Sequence, residues 1–302
     1  MNVLVITNCT NRKGLTPASD LQARHLPPGE VGKVAANWWA RVGRDRNRMP
    51  ARSLYKGRAF AEAVRAAQLL GAELVTVSAG LGLVSGTLPV PAYSLTISSG
   101  SDDSILAKTG ATAGDWWRAL RAAAGQSDWP DADLILVALS TPYLSMVADD
   151  LSAWPAERRN RLRIFTGAWP ANVAPPLRDA VMPYDRRFDA IGGPNPGIQG
   201  DFAQRVLRHF AEFVLPTTGR ASLEEHRASV EAVLGLLKVR ERPNRTKVPD
   251  ETITQLILEN WSAAEGRSSV MLRLLRDQLD VACEQGRFKD LFNAVASQER
   301  LL

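Results

Sequence analysis

The feature that most constrains the fold is a set of short, unbroken apolar runs: Val3-Leu4-Val5-Ile6-Thr7, Leu74-Val75-Thr76-Val77-Ser78 and Leu134-Ile135-Leu136-Val137-Ala138-Leu139. A strand with one wetted face alternates apolar and polar residues, whereas these runs are continuous, as in strands covered on both sides. Residues 163–166 are a weaker fourth candidate. Helical spacing fills the gaps: Arg58–Leu70 is alanine-rich with Gly71 placed to cap its end, and 114–124 and 199–215 follow the same period. Strand, crossover helix, strand in this order predicts an α/β fold with a mainly parallel sheet flanked by helices.

The repeating pattern ends near Pro216, so residues 1–216 read as the α/β domain. Residues 217–249 read as a bridging helix over 222–239, opened by a Ser222/Glu225 capping box, and a charged, proline-bounded linker over 240–249. Residues 250–302 hold three helical patterns, at 250–264, 268–279 and 286–295, and predict a small C-terminal helical module. The turn Gly266-Arg267-Ser268 before a helix carrying Arg273 and Arg276 resembles a helix-turn-helix, whose arginines would meet DNA. Three amphipathic helices are equally a common way to build any small domain.

Charge is more informative by position than in total. Residues 12–65 carry 12 Lys/Arg against four acidic residues, a local excess of +8, while from residue 217 onward 13 basic residues meet 13 acidic ones. A basic field of this size draws in polyanions, although an arginine-rich surface also serves solubility. The apolar runs fall far short of the roughly 20 residues of a membrane span, so no membrane partner is expected. Met1-Asn2 leads straight into a strand with no signal peptide in view, and Cys9 and Cys283 lie far apart. A reduced, cytoplasmic setting without a disulfide framework is the expectation. His25, His209 and His226 show no metal-ligand spacing, so no metal is predicted.

In open parallel sheets ligands bind beyond the carboxyl ends of the strands. The first such end, Asn8-Cys9-Thr10-Asn11-Arg12-Lys13, offers amides, a hydroxyl, a thiol and two cations. The second, Ser78-Ala-Gly80-Leu-Gly82, lets backbone approach a ligand closely but lacks the third glycine of a dinucleotide fingerprint and the Lys-Ser/Thr of a P-loop, so no nucleotide cofactor is predicted. The third is Ser140-Thr141-Pro142-Tyr143. Lys56 and Arg58 at a helix start make an anion site, and Tyr55 and Tyr93 are candidate platforms for a stacked base or else core tyrosines. Asp201 reads either as the N-cap of its helix or as a carboxylate near the basic crevice, with Gln204 and Arg205 one turn on. Zinc deamination and a Gly-x-Ser-x-Gly hydrolase are excluded by the missing motifs.

Taken together, Cys9 to Lys13, Leu54-Tyr55-Lys56-Gly57-Arg58-x-Phe60, Ser78-Ala-Gly-Leu-Gly-Leu83 with Tyr93, Asp201 to Phe210, and Met271 to Phe288 resemble a group of bacterial and phage proteins. That group looks related to the uracil-DNA glycosylase superfamily and to base-exchange enzymes of 7-deazaguanine metabolism, and it is similar in function to anti-phage DNA glycosylases. The resemblance implies cleavage of the N-glycosidic bond of a flipped, modified base, with DNA as partner and no cofactor. It also implies that Asn8 and Asn11 orient water where other members place a carboxylate. In this reading Tyr55, Ser78, Gly80 and Tyr93 hold the base, and Arg12, Lys13, Lys56, Arg58 and Arg205 hold phosphates. The residues alone leave open a small-molecule nucleoside glycosidase or transferase and a non-catalytic DNA-binding regulator.

Overall fold

A computed structural model describes residues 1–191, 197–239 and 245–299. Part of the turn-rich loop (192–196), part of the charged linker (240–244) and the last three residues lie outside the described residues. The chain divides into two compact units, Met1–Val239 and Arg240–Leu302.

The first unit is built on a five-stranded sheet. Its strands are β1 (Val3–Asn8), β3 (Glu73–Ser78), β4 (Gly82–Ser85), β6 (Leu134–Ala138) and β7 (Leu162–Phe165), in the order β4-β3-β1-β6-β7. β1 runs parallel to β3 and β6, β6 runs parallel to β7, and β4 alone is antiparallel. Two further strands, β2 (Arg48–Pro50) and β5 (Pro89–Pro91), form a separate antiparallel ladder.

The expected α/β class is therefore present, with β4 as an edge strand where a glycine loop was expected. From β1 the chain crosses to β3 on one side, and after β4 it returns to place β6 on the other side of β1. Helices flank the sheet: Arg58–Leu70 packs with Phe202–His209, and Ala113–Ala123 packs with both Val31–Arg44 and Thr141–Ser152. Between β1 and β6 the direction of winding reverses, which creates the crevice where open α/β sheets place their ligands.

Local chemistry explains the element ends. Gly71 closes Arg58–Leu70 in the left-handed conformation at φ 56°, where a Cβ would cost energy. Thr112 and Asp115 form a capping box for Ala113–Ala123. The expected helix over 199–215 is instead a 3-10 turn, the helix Phe202–His209 and a π-helical turn, Phe210–Val214. Pro216 does not break it, because Leu215–Thr218 continues the helical path to Gly219.

The helix Leu223–Gly235 begins at the predicted Ser222/Glu225 box but belongs to the first unit rather than bridging. Its His226 is buried, accepts a hydrogen bond at Nδ1 from Arg163 Nε at 2.8 Å and packs edge-on against Phe210. Burial, with Arg163 beside it, pushes the imidazole pKa down to about 4. Below its ordinary value near 6.5 the unfolded chain takes up a proton that the folded chain refuses. His226 should therefore lower stability as pH falls from about 6.5 toward 4 and leave it unchanged above. Urea titrations at pH 7 and pH 5 should show a loss that shrinks by about 1 kcal/mol in His226→Gln. An identical loss in the variant would rule out this source.

In the second unit the helices Asp250–Glu259, Ser268–Asp277 and Gln285–Glu299 are joined by a two-residue parallel ladder, Thr246–Lys247 with Val281–Ala282. They enclose Ile253, Ile257, Met271, Leu275, Phe288 and Phe292, with Trp261 stacked on Phe292. Arg276 is spent on this fold, since Nε and one terminal nitrogen donate to the Cys283 carbonyl at 3.2 and 2.6 Å. Arg273 on the same helix is exposed. No helix among the described residues is long and apolar enough to cross a membrane.

Candidate active site at the carboxyl ends of the strands

Two motifs about forty residues apart form one structure. The loop after β1 folds back beside the segment before Arg58–Leu70. Cys9 N donates to Val77 O at 3.0 Å, Lys56 N to Arg12 O at 2.9 Å and Gly14 N to Leu54 O at 2.7 Å, while Lys13 and Tyr55 pair as an antiparallel bridge. Thr10 Oγ1 fastens the turn through the Arg12 and Lys56 carbonyls. These bonds aim Cys9 and the Lys13 amine inward and leave Asn11, Arg12 and Lys56 exposed.

Inside lies a cluster of hydroxyls and a thiol. The Tyr93 hydroxyl is 2.7 Å from Ser78 Oγ and 3.2 Å from the Tyr55 hydroxyl, and Cys9 Sγ is 3.1 Å from the Tyr143 hydroxyl. Ser78 Oγ accepts from Gly80 N and Leu81 N at 3.3 and 2.9 Å, which leaves its own proton for Tyr93. All three strand-end loops anticipated from the sequence thus meet. Burial, reinforced by Cys9, pushes the phenols of Tyr55, Tyr93 and Tyr143 well above their ordinary range, so they stay protonated.

The Lys13 amine sits over this cluster, 4.0 Å from the centre of the Tyr93 ring and 5.9 Å from that of Tyr55, donating to Thr10 O at 3.1 Å. Burial lowers its pKa, and the fields of Cys9 and Asp103 offset only part of that effect. Asp103 is held ionised: burial works against the charge, but hydrogen bonds from Arg24 prevail, with the Arg24 backbone N at 2.9 Å and Nε at 3.0 Å.

Several expected roles change. Tyr55 and Tyr93 are 2% and 0% exposed, so neither ring offers a free face to a base. Tyr93 is covered by Lys13 and pressed by Gly80, where an added Cβ would lie 2.6 Å from its ring. Asp201 is buried in an ion-pair network. Its Oδ1 accepts from Ile198 N at 3.0 Å and Arg205 Nε at 2.6 Å, and its Oδ2 lies 3.5 Å from Arg58 Nε. Arg205 is itself buried and also bound to Asp189 at 3.1 Å, so it is not placed to meet a phosphate.

Asn8 is likewise engaged. Its Oδ1 accepts from Ser140 N and Gln204 Nε2, each at 3.1 Å, and its Nδ2 donates to Cys9 O at 3.0 Å, tying β1 to the end of β6 across the winding reversal. Asn8→Ala is therefore expected to destabilise the first unit by about 1–3 kcal/mol through stranded buried groups. Equilibrium unfolding in urea measures this, and wild-type stability would show that the tie carries no weight.

Two contributors were not singled out from the sequence. Trp38 Nε1 donates to Gly80 O at 2.6 Å and Trp116 Nε1 to Ala79 O at 2.7 Å, so two buried indoles clamp the turn after β3. Their signal was the Trp-Trp pairs at 38–39 and 116–117, of which Trp38, Trp116 and Trp117 are all buried. Gln204 donates from Nε2 into the crevice, also reaching Ala138 O at 3.0 Å, and its Oε1 is buried without a hydrogen-bond partner. Among the described residues no group of three or more His, Cys, Asp or Glu is arranged to hold a metal ion.

In comparison with known proteins, no family model, no curated protein and no solved structure matches this chain.

Proposed function

We propose that this chain is a DNA glycosylase that cleaves the N-glycosidic bond of a modified base and leaves an abasic site, acting in defence against phage. The observation that carries this reading is the Lys13 amine, held over a buried cluster of hydroxyls and a thiol at the winding reversal beneath a rim of exposed cations. Arg12 and Lys56 are free of the core and suited to phosphates. Arg58 stands at the same lip with its side chain half-exposed. Asn11, exposed on the same turn, is suited to a sugar or base edge.

Below them, burial raises the neutral fraction of the Lys13 amine, the form that can attack a sugar carbon or take a proton from water. Lys13 thus replaces the Asn8/Asn11 pair as the centre of the chemistry. The protonated phenols around it supply fixed dipoles rather than charge. Support for DNA as the substrate comes from the +8 segment that furnishes the rim.

The test is to incubate the protein with DNA carrying modified bases, with unmodified DNA and with free nucleosides, then measure released base and alkali-labile sites. Base release with abasic sites only in the modified DNA is expected. Release from nucleosides alone would replace this reading with a small-molecule glycosidase, and binding without release would replace it with a DNA-binding regulator.

A further inference from the structure

At the opposite end of the sheet, where β1, β6 and β7 begin, a cavity of about 830 Å³ opens between the strand starts and the first turn of the helix Leu223–Gly235. Its wall includes Arg161, Arg163, Arg220, Arg227 and His226, against the carboxylates of Asp133, Asp179 and Glu224. A volume of this size is typical of small-molecule sites.

Arg163 is the unusual member. It lies on β7 and is 3% exposed. Nε donates to His226 Nδ1 at 2.8 Å, one terminal nitrogen to Asn160 O and Leu162 O at 3.0 and 2.9 Å, and the other to Ala221 O at 3.3 Å. Every one of these partners is neutral. Among the described residues no carboxylate forms an ion pair with it. Burial alone lowers its pKa, to about 10, so the guanidinium remains a cation at neutral pH. A buried charge without a counter-ion is costly, and such charges are normally paired.

The neighbour is also incompletely satisfied. His226 accepts at Nδ1, so its proton must sit on Nε2, and that buried N–H finds no partner in good hydrogen-bond geometry, the Gly219 carbonyl beside it meeting it only weakly. One N–H of Arg163 is also unused, because four of its five are spent above. Two of the other cations at the wall are partly compensated. Arg220 lies 3.5 Å from Asp133, and Arg161 donates to Asp131 at 3.2 Å. Arg163 and Arg227, the latter donating to the Asp179 and Val181 carbonyls, form no ion pair among the described residues, and Arg163 is the more deeply buried of the two.

We propose that this cavity is a second binding site, for a phosphate-bearing small molecule of mononucleotide size. An oxyanion at the inner wall would neutralise Arg163 and accept from its remaining N–H and from His226 Nε2. Arg220 and Arg227 close on it from the rim. The site is separate from the Lys13 cluster and does not depend on the glycosylase reading.

The experiment is calorimetric titration of the full chain with inorganic phosphate and with adenosine 5′-monophosphate, using adenosine as the uncharged control. Saturable binding of at least one phosphate probe, and none of adenosine, is expected. Arg163→Met should weaken it about tenfold or more, the effect of losing a charge-assisted partner. Because Arg163→Met removes the partner of several carbonyls, the exposed rim substitution Arg220→Ala provides a second reading on a fold left intact, and Lys13→Met should leave the affinity unchanged. The proposal is overturned if neither probe binds up to about 10 mM, if binding survives both the Arg163 and the rim substitutions, or if it is lost in Lys13→Met instead.

Discussion

Replacing Lys13 with methionine is expected to reduce base release by about 10³-fold or more while changing stability by no more than about 1 kcal/mol. The two halves of that expectation have different causes. Methionine keeps an unbranched apolar side chain over the Tyr93 ring, so packing survives. What is lost is one hydrogen bond to Thr10 O and a cation–π contact at 4.0 Å, and removing a desolvated ammonium offsets part of that loss.

The chemical loss is not offset, since no other amine in the cluster can replace it. If the amine attacks the sugar, a C1′–N bond forms as the bond from C1′ to the base breaks, and the base leaves with the electron pair and takes a proton from solvent. Ring opening at O4′ then gives an iminium that borohydride reduces to a stable protein–DNA adduct. If the amine takes a proton from water instead, activity is lost in the variant but no adduct forms in the native protein. Base release within threefold of the native rate in Lys13→Met would end any catalytic role for this residue.

The pH dependence has a definite sign. Burial lowers the Lys13 pKa below its ordinary 10.5, and the neutral amine is the active form. The rate should rise with pH through that lowered value and then level off. Linkage runs the same way: between the folded and unfolded pKa values the unfolded chain holds the extra proton, so stability from this group also rises with pH. An activity that falls as pH rises from 7 to 9, in a protein still folded, would contradict the neutral amine.

How much of this could be read from the sequence depended on whether the signal was local. β1, β3 and β6 were legible because burial on both faces leaves a continuous apolar run. β7 was only a candidate, since Arg163 interrupts it, and that arginine is tolerated through the carbonyls and His226 that enclose it. The edge strand β4 was hidden because Gly82-Leu-Val-Ser85 is short and starts at a glycine, and the β2/β5 ladder because it is short and three of its six residues are prolines.

The meeting of the three strand-end loops followed from topology alone. The orientation of their side chains did not. Tyr55 and Tyr93 beside Lys56 and Lys13 looked like stacking platforms, yet a pair of tyrosines can equally satisfy one another's hydroxyls inside a core, and this pair does. Asn8 looked like a free amide because its partners, Ser140 and Gln204, lie 132 and 196 residues away.

The same enclosure makes Gly80 the most sensitive small residue in the site. Gly80→Ala is expected to cost about 3 kcal/mol and to abolish base release. A Cβ there would lie 2.6 and 2.7 Å from two carbons of the Tyr93 ring, closer than atoms can approach, so either the ring or the turn must move. The ring is held by Ser78 and Tyr55 through its hydroxyl and by the edge of Trp38. The turn is held by Trp38 and Trp116 through the Gly80 and Ala79 carbonyls. Any shift breaks one of these sets and displaces the surface on which the Lys13 amine rests. Gly71 is the proper comparison: its φ of 56° penalises a side chain, but nothing lies within 4 Å of the position, so Gly71→Ala should cost about 1 kcal/mol through backbone strain alone and leave the chemistry intact. Coupling separates the two causes. Tyr93→Leu removes the ring that Gly80→Ala strikes, so the double variant should be less destabilised than the sum of the singles, while Tyr93→Leu and Gly71→Ala should add. Additive losses for Gly80→Ala with Tyr93→Leu would show that the ring is not what the glycine makes room for.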